Sequence, residues 1–214
     1  MSYILICAVF YLIGSFPTAY LLVKVKYGKN ISNEGTGNIG AMNTFDVTHS
    51  KADGIIVLLT DLLKGYLPVF WYIKYSGFDP GMILIPALLL LAGHNYSVWM
   101  KFRGGRGLST GSGILLAVNF LLVIIWLILY FVFNKLSKNV HIASSAALII
   151  LPMTLIIFQE TVYQFTNPAL RNTGNDLNFL FSFCSAVSII ILLRHIEPVL
   201  TYLQNKKTNN KNIH

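Results

Sequence analysis

Residues 108–133 read LSTGSGILLAVNFLLVIIWLILYFVF, and whether they make one membrane span or two decides the fold. At 1.5 Å per residue a single helix would measure about 39 Å, long for one hydrocarbon core and short for two full crossings. The basic residues arbitrate. If the run turns near Asn119, the chain has seven spans. Lys24, Lys26, Lys29, Lys51, Lys101, Arg103, Arg106, Lys135, Lys138, Arg194, Lys206, Lys207 and Lys211 then share one side. Only Lys74 and Arg171 fall opposite, and Lys64 lies inside a span. One uninterrupted helix would carry Lys135, Lys138 and the basic tail to the outside, against the cytoplasmic bias of short basic loops.

The rest of the chain agrees with a membrane reading. Hydrophobic residues are 55% of the 214 and charged residues 11%, against roughly 25% charged in soluble domains. Further apolar runs cover about 3–23, 54–73, 81–100, 141–159 and 177–194. The expected fold is therefore all-α: a polytopic membrane protein of about seven transmembrane helices, N-terminus out and C-terminus cytoplasmic. Residues 1–204 form one integral-membrane domain, and 205–214 form a basic tail expected to be disordered. The net charge of +8 sits in short loops between apolar runs, a pattern suited to anionic headgroups and substrates, not to nucleic acid. Cys7 and Cys184 lie inside apolar runs, so neither a disulfide framework nor a metal site is indicated. The first run lacks a basic region before it and a cleavage pattern after it, and reads as a retained span.

Polar chemistry gathers on the basic side. Gly93-His94 through Arg103-Gly104-Gly105-Arg106-Gly107 combines a histidine, two arginines and closely spaced glycines where one apolar run ends and the next begins. Glycines let backbone N–H groups converge on an anion, and guanidiniums add bidentate donors. A second glycine-rich segment, Glu34 to Asn43, fits neither a Walker loop nor a dinucleotide fingerprint. Asp61 and Lys64 lie three apart inside a span, either as an ion pair or with Lys64 serving a polyanionic substrate. His94 and His195 sit at span ends on this face, with imidazoles suited to proton transfer near neutral pH. Ser144 and Ser145 open a span there, as caps or as site hydroxyls.

These motifs, together with Gly14-Ser15-Phe16-Pro17-Thr18-Ala19-Tyr20, Asp61-Leu62-Leu63-Lys64-Gly65 and Leu193-Arg194-His195, resemble the bacterial acyl-phosphate:glycerol-3-phosphate acyltransferases of the inner membrane. The resemblance covers nearly the whole chain. It implies acyl transfer from acyl phosphate to the 1-hydroxyl of glycerol 3-phosphate, giving lysophosphatidic acid and phosphate, with no metal, no cofactor and no acyl carrier protein. The implied partners are those two substrates and the bilayer. The resemblance places His195, Arg106, Ser144 and Ser145 in catalysis. It places Thr36, Gly37, Asn38, Gly40, Asn43, Lys64, His94, Arg103, Gly104, Gly105 and Gly107 around the substrate phosphates. Thr36 replaces the family's serine, and Arg103 and Arg106 replace its lysines. Asp46 stands where the family has a phosphate-binding arginine, and Pro198 where it has an asparagine. Two other classes stay open: a degenerate relative with a different acceptor or no turnover, and a small transporter. Turnover of acyl phosphate distinguishes the first, and flux of a phosphorylated solute the second.

Overall fold

The computed structural model describes residues 2–171 and 177–211, and every regular element among them is a helix. In chain order these are α1 (Tyr3–Ser15), α2 (Thr18–Tyr27), α3 (Ala41–Thr48), α4 (Lys51–Tyr75), α5 (Leu84–Asn95) and α6 (Leu108–Val118). They continue as α7 (Phe120–Ser137), α8 (Val140–Ile157), α9 (Gln159–Gln164), α10 (Pro168–Arg171), α11 (Leu177–Leu193) and α12 (Ile196–Lys211). Four helical segments are long and apolar enough to cross a bilayer: Tyr3–Tyr27, Lys51–Tyr75, Phe120–Ser137 and Val140–Ile157. A fifth is counted if α11 and α12, bent by 52° at their junction, are taken as one span. Pro80–Asn95 and Leu108–Val118 are apolar but shorter.

The 108–133 run does break at Asn119, and the cause is specific. Asn119 is extended at φ −159°, and its Oδ1 accepts from the Leu121 amide, capping α7. Its Nδ2 donates to the Val162 carbonyl at 2.7 Å and to Thr166 Oγ1 at 3.0 Å. Asn167 closes the other half of the joint. Its backbone N–H donates to the Val118 carbonyl at 2.8 Å and its side-chain amide to the Ala117 carbonyl at 3.1 Å. A helix end inside an apolar protein must satisfy its last carbonyls, and the 158–167 connection supplies the donors.

Two helix pairs meet backbone to backbone. A Cβ at Gly65 of α4 would stand 2.2 Å from the Thr110 carbonyl oxygen, and one at Gly113 of α6 would stand 2.0 Å from that of Leu62. Gly14 of α1 and Gly93 of α5 repeat the arrangement, against the Leu90 and Tyr11 carbonyls at 1.9 and 2.2 Å. Small residues permit such approach where lipid supplies no hydrophobic drive between helices. Beside these crossings, Val69, Leu90, Leu91, Ile114 and Phe183 are fully buried.

The first apolar run is broken at Phe16–Pro17, where Pro17 cannot continue the helical hydrogen bonding. Lys64 of α4 donates to the Phe16 carbonyl at 3.1 Å and pairs with Asp61 at 2.7 Å, both side chains nearly buried. At the next polar level Asp53, buried in the first turn of α4, binds Lys26 Nζ at 2.7 Å and Tyr27 Oη at 2.5 Å. That staple fixes α2 against α4 and so holds the intervening 28–50 segment, including α3, over the bundle.

Residues 205–211, expected from their composition to be a disordered tail, continue α12 as helix, and 212–214 lie outside the described residues. Leu200 and Leu203 of the same helix are about half exposed, and it touches α8.

The α4–α6 crossing yields a stability prediction. Gly113→Ala forces two backbones apart, whereas Gly111→Ala meets only the end of the Ile191 side chain at 2.6 Å. Overpacking against immovable neighbours costs about 1–3 kcal/mol. Gly113→Ala should therefore lower the melting temperature in detergent by several degrees more than Gly111→Ala. Equal melting temperatures would reject the crossing.

Candidate active site

Four separate stretches converge on one cavity of about 680 Å³. The 36–46 segment contributes Thr36, Asn38, Gly40, Asn43 and Asp46. The turn into α6 contributes Arg106, Gly107, Ser109 and Ser112; α8 contributes His141 and Ser144; the α11–α12 junction contributes His195. Asp61 and His94 form its floor. Opposite this polar end, Leu58 and Leu62 of α4 face Val123, Trp126, Leu127 and Tyr130 of α7. The α7 positions are spaced 3, 1 and 3 apart and form one helix stripe. The polar lining carries Arg106, Asp46 and Asp61, and the apolar lining comes from α4 and α7.

Two helix N-termini open into the polar end. Neither α3, entered from Gly40, nor α6, entered from Gly107, has a side-chain cap. Their first-turn N–H groups lack intrahelical partners and carry the positive end of the helix dipole, which suits an anion. Arg106 stands beside the second of these. Burial lowers its pKa, and Arg194 lowers it further while Glu197 opposes, yet a guanidinium stays charged at any physiological pH.

His195 is buried, with Nδ1 3.0 Å from the Ile191 carbonyl. A carbonyl only accepts, so Nδ1 carries the proton and Nε2 presents a lone pair. Nε2 is buried with no hydrogen-bond partner. Chiefly through burial, the imidazole pKa falls below its usual range; the Ile191 bond opposes this, and Arg106 and Arg194 add to it. His195 thus presents the Nε2 lone pair to the cavity lining, while burial and the two arginines disfavour its protonated form.

Several expected site residues have other duties. The Asn43 amide nitrogen lies within reach of the Ile31, Glu34 and Asn38 carbonyls, and its Oδ1 accepts from the Thr36 N–H at 2.8 Å. These bonds fold the loop that bears Thr36 and Asn38, and Asn43 itself lines the cavity. Gly104 and Gly105 are absent from the cavity wall. A Cβ at either would collide with His94, at 2.1 Å from its carbonyl oxygen and from Nε2 respectively. Their glycine character seats the loop on the end of α5. Gly107 does line the cavity, and its φ of +84° favours glycine. Gly37, at φ +70°, and the half-exposed Ser145 are not on the wall.

Arg103 is exposed and, with Lys64, borders a separate small polar recess behind Asp61 and His94. His94 Nδ1 lies 3.8 Å from Asp61 Oδ1. Lys64 is thus committed to Asp61 and the Phe16 carbonyl instead of the main cavity.

Two residues outside the expected set stand at the candidate site, one bracing its loop and one on the cavity wall. Arg194 donates to the Gly105 and Gly104 carbonyls, each at 3.3 Å, and lies over the Tyr96 ring, clamping the glycine loop from α11. His141 faces His195 across the cavity with ring centroids 5.7 Å apart. Its only trace in sequence was a histidine at a basic span end. Asp46, on α3, does line the cavity, so the departure from the resembled family lies within the site. Pro198 falls in the first turn of α12, where a missing N–H costs little. Among the described residues no group of three or more His, Cys, Asp or Glu could hold a metal ion.

A family model described as glycerol-3-phosphate acyltransferase matches residues 4–205. The chain is 32% identical over 211 residues to the glycerol-3-phosphate acyltransferase of Pelagibacter ubique strain HTCC1062. It is 33% identical over 218 residues to that of Staphylococcus aureus strain Newman, and both alignments cover 99% of each chain. The fold matches the crystal structure of PlsY (YgiH), an integral membrane glycerol 3-phosphate acyltransferase, in its glycerol 3-phosphate form. The TM-score is 0.77 at 24% identity, covering 94% of this chain and 92% of that one. The lysophosphatidic acid form of the same protein gives 0.76 at 23% identity. On the family match and the full-length identities, this chain belongs to the glycerol-3-phosphate acyltransferase family.

Proposed function

We propose that the chain is an integral-membrane acyltransferase that moves an acyl group from acyl phosphate to the 1-hydroxyl of glycerol 3-phosphate. The observation that carries this reading is the two-ended cavity: an anion site beside a histidine lone pair, continuous with an apolar slot. An acyl phosphate has the same two ends. Its chain fits between α4 and α7, and its phosphate meets Arg106 and the free N–H groups of α3 and α6. Relatives named glycerol-3-phosphate acyltransferase match 99% of the chain.

The chemistry follows from those positions. The acceptor hydroxyl oxygen attacks the acyl carbonyl carbon while its proton passes to His195 Nε2. Negative charge develops on the carbonyl oxygen, where Arg106 and helix N–H dipoles stabilise it without reorganising. The intermediate collapses, the bond from the acyl carbon to the phosphate oxygen breaks, and phosphate leaves with the electron pair. His195 then returns its proton to the phosphate. Ser144, buried on the cavity wall, is placed to hydrogen-bond a substrate oxygen.

The reading includes seven spans, N-terminus out and C-terminus cytoplasmic, with the cavity facing the cytoplasm of a bacterial inner membrane. Its support is parity. The 36–46, 106–112, 141–144 and 195 segments share one cavity, and two apolar helices separate each from the next: α4 and α5, α6 and α7, α8 and α11. The thirteen-to-two basic asymmetry supports an inside location for that shared side. Cysteines introduced at Ser32 and Thr208 should be labelled only from the cytoplasm and one at Ser76 only from outside. Any other pattern would reject this orientation.

Purified protein in detergent or proteoliposomes should convert palmitoyl phosphate and glycerol 3-phosphate to lysophosphatidic acid and orthophosphate. Arg106→Ala should lower kcat/KM about ten- to a hundredfold, the ~1.5–3 kcal/mol of one charged hydrogen bond, with Arg106→Lys retaining more. Absence of acyl transfer by the wild-type protein would sink the proposal.

Asp46 raises a second reading, a different acceptor, because a carboxylate in the cavity repels a phosphate dianion. If glycerol 3-phosphate is the acceptor, Asp46→Arg should lower its KM. The competing outcome is preferred turnover of glycerol or an amino alcohol by the wild type, impaired by the same substitution.

A further inference from the structure

The Arg106 guanidinium hangs from a turn bracketed by Gly104, Gly105 and Gly107, and a long cation on such a turn needs an external hold. Among the described residues its side-chain hydrogen-bond partner is His141, with Nη1 3.4 Å from Nε2. The pairing sets the imidazole's state. A guanidinium only donates, so Nε2 must carry the lone pair and the proton resides on Nδ1. The contact therefore exists only for neutral His141. His141 is itself firmly placed, since it opens α8 and its backbone N–H donates to the Asn139 cap at 2.9 Å. Asn139 also accepts from the Ile142 amide. Both His141 and Arg106 line the reaction cavity.

We propose that His141 is a positioning residue that holds Arg106 by its Nη1 edge and aims the remaining guanidinium donors at the phosphate of the acyl donor. The inference rests on the acyl-transfer reading and concerns one of its parts. A histidine is well suited to the task because it accepts a hydrogen bond without charge. A carboxylate in the same place would form an ion pair and compete with the substrate phosphate for Arg106. The neighbouring His195 has the same tautomer for a different reason, its Nδ1 bond to the Ile191 carbonyl. Two neutral imidazoles thus meet in one cavity, one holding the cation and the other free to take the proton.

The test uses full-length protein and two readouts, kcat/KM for palmitoyl phosphate and the inhibition constant of orthophosphate. His141→Phe keeps a planar ring and removes the acceptor. It should lower kcat/KM and weaken orthophosphate inhibition, each by roughly three- to tenfold, with KM for the acceptor hardly changed. His141→Gln restores a carbonyl acceptor and should recover most of the loss. In an Arg106→Ala background His141→Phe should have little further effect, because the group it positions is gone. Wild-type kinetics for His141→Phe would overturn the inference, as would equal losses in the Phe and Gln variants or a full additive loss in the double variant. An inactive wild type would instead bring down the acyl-transfer reading, so the two failures are distinguishable.

Discussion

Everything in the site depends on how closely α4 and α6 can approach. Gly65 and Gly113 let each helix rest on the other's backbone, with the Thr110 and Leu62 carbonyls where side-chain carbons would otherwise be. Because Leu62 and Asp61 lie on the cavity side of that crossing, it fixes the distance from the floor of the cavity to the start of α6. The free N–H groups after Gly107 and the Arg106 side chain are placed by it. Van der Waals contact at this range falls off steeply with separation, so the crossing behaves as a fixed joint.

A second theme is the use of polar groups to repair deliberate breaks. Each interruption of an apolar helix leaves carbonyls without partners, and each is answered by a residue from far along the chain. Lys64 reaches the Phe16 carbonyl at the Pro17 break, and Asn167 and Asn119 bridge the joint between α6 and α7. In hydrocarbon an unpaired carbonyl is expensive, so these donors are as constrained as core side chains. Lys64 shows how a structural contact and a substrate-binding one share a sequence signature, a lysine three residues after an aspartate inside a span.

The break at Asn119 was legible because length and charge asymmetry are properties of the chain itself. The glycine-rich loops were legible as special places, and at two positions the structure adds a packing reason that the sequence could not show. Glycine at 104 and 105 answers the proximity of His94, and proximity between residues ten apart is a tertiary fact. Asn43 looked like a ligand because it sits among glycines and a hydroxyl; its amide is spent on the loop's own carbonyls. His141 escaped notice because one histidine near a span end carries no pattern, and its meaning comes from Arg106, 35 residues earlier. The helical tail escaped because polar composition alone does not separate a disordered segment from a surface helix. Asp46 was the reverse case, a departure from a motif whose side chain lines the cavity.

The Arg194 clamp gives the molecule an order in time. The loop carrying Arg106 is made first, and the cation that pins its Gly104 and Gly105 carbonyls arrives 88 residues after Arg106. Until the end of α11 has been made, the loop lacks that anchor and the cavity lacks His195 as well. A nascent chain thus holds α4 and α7, the helices that bear the apolar lining, before it holds the complete polar lining of the candidate cavity.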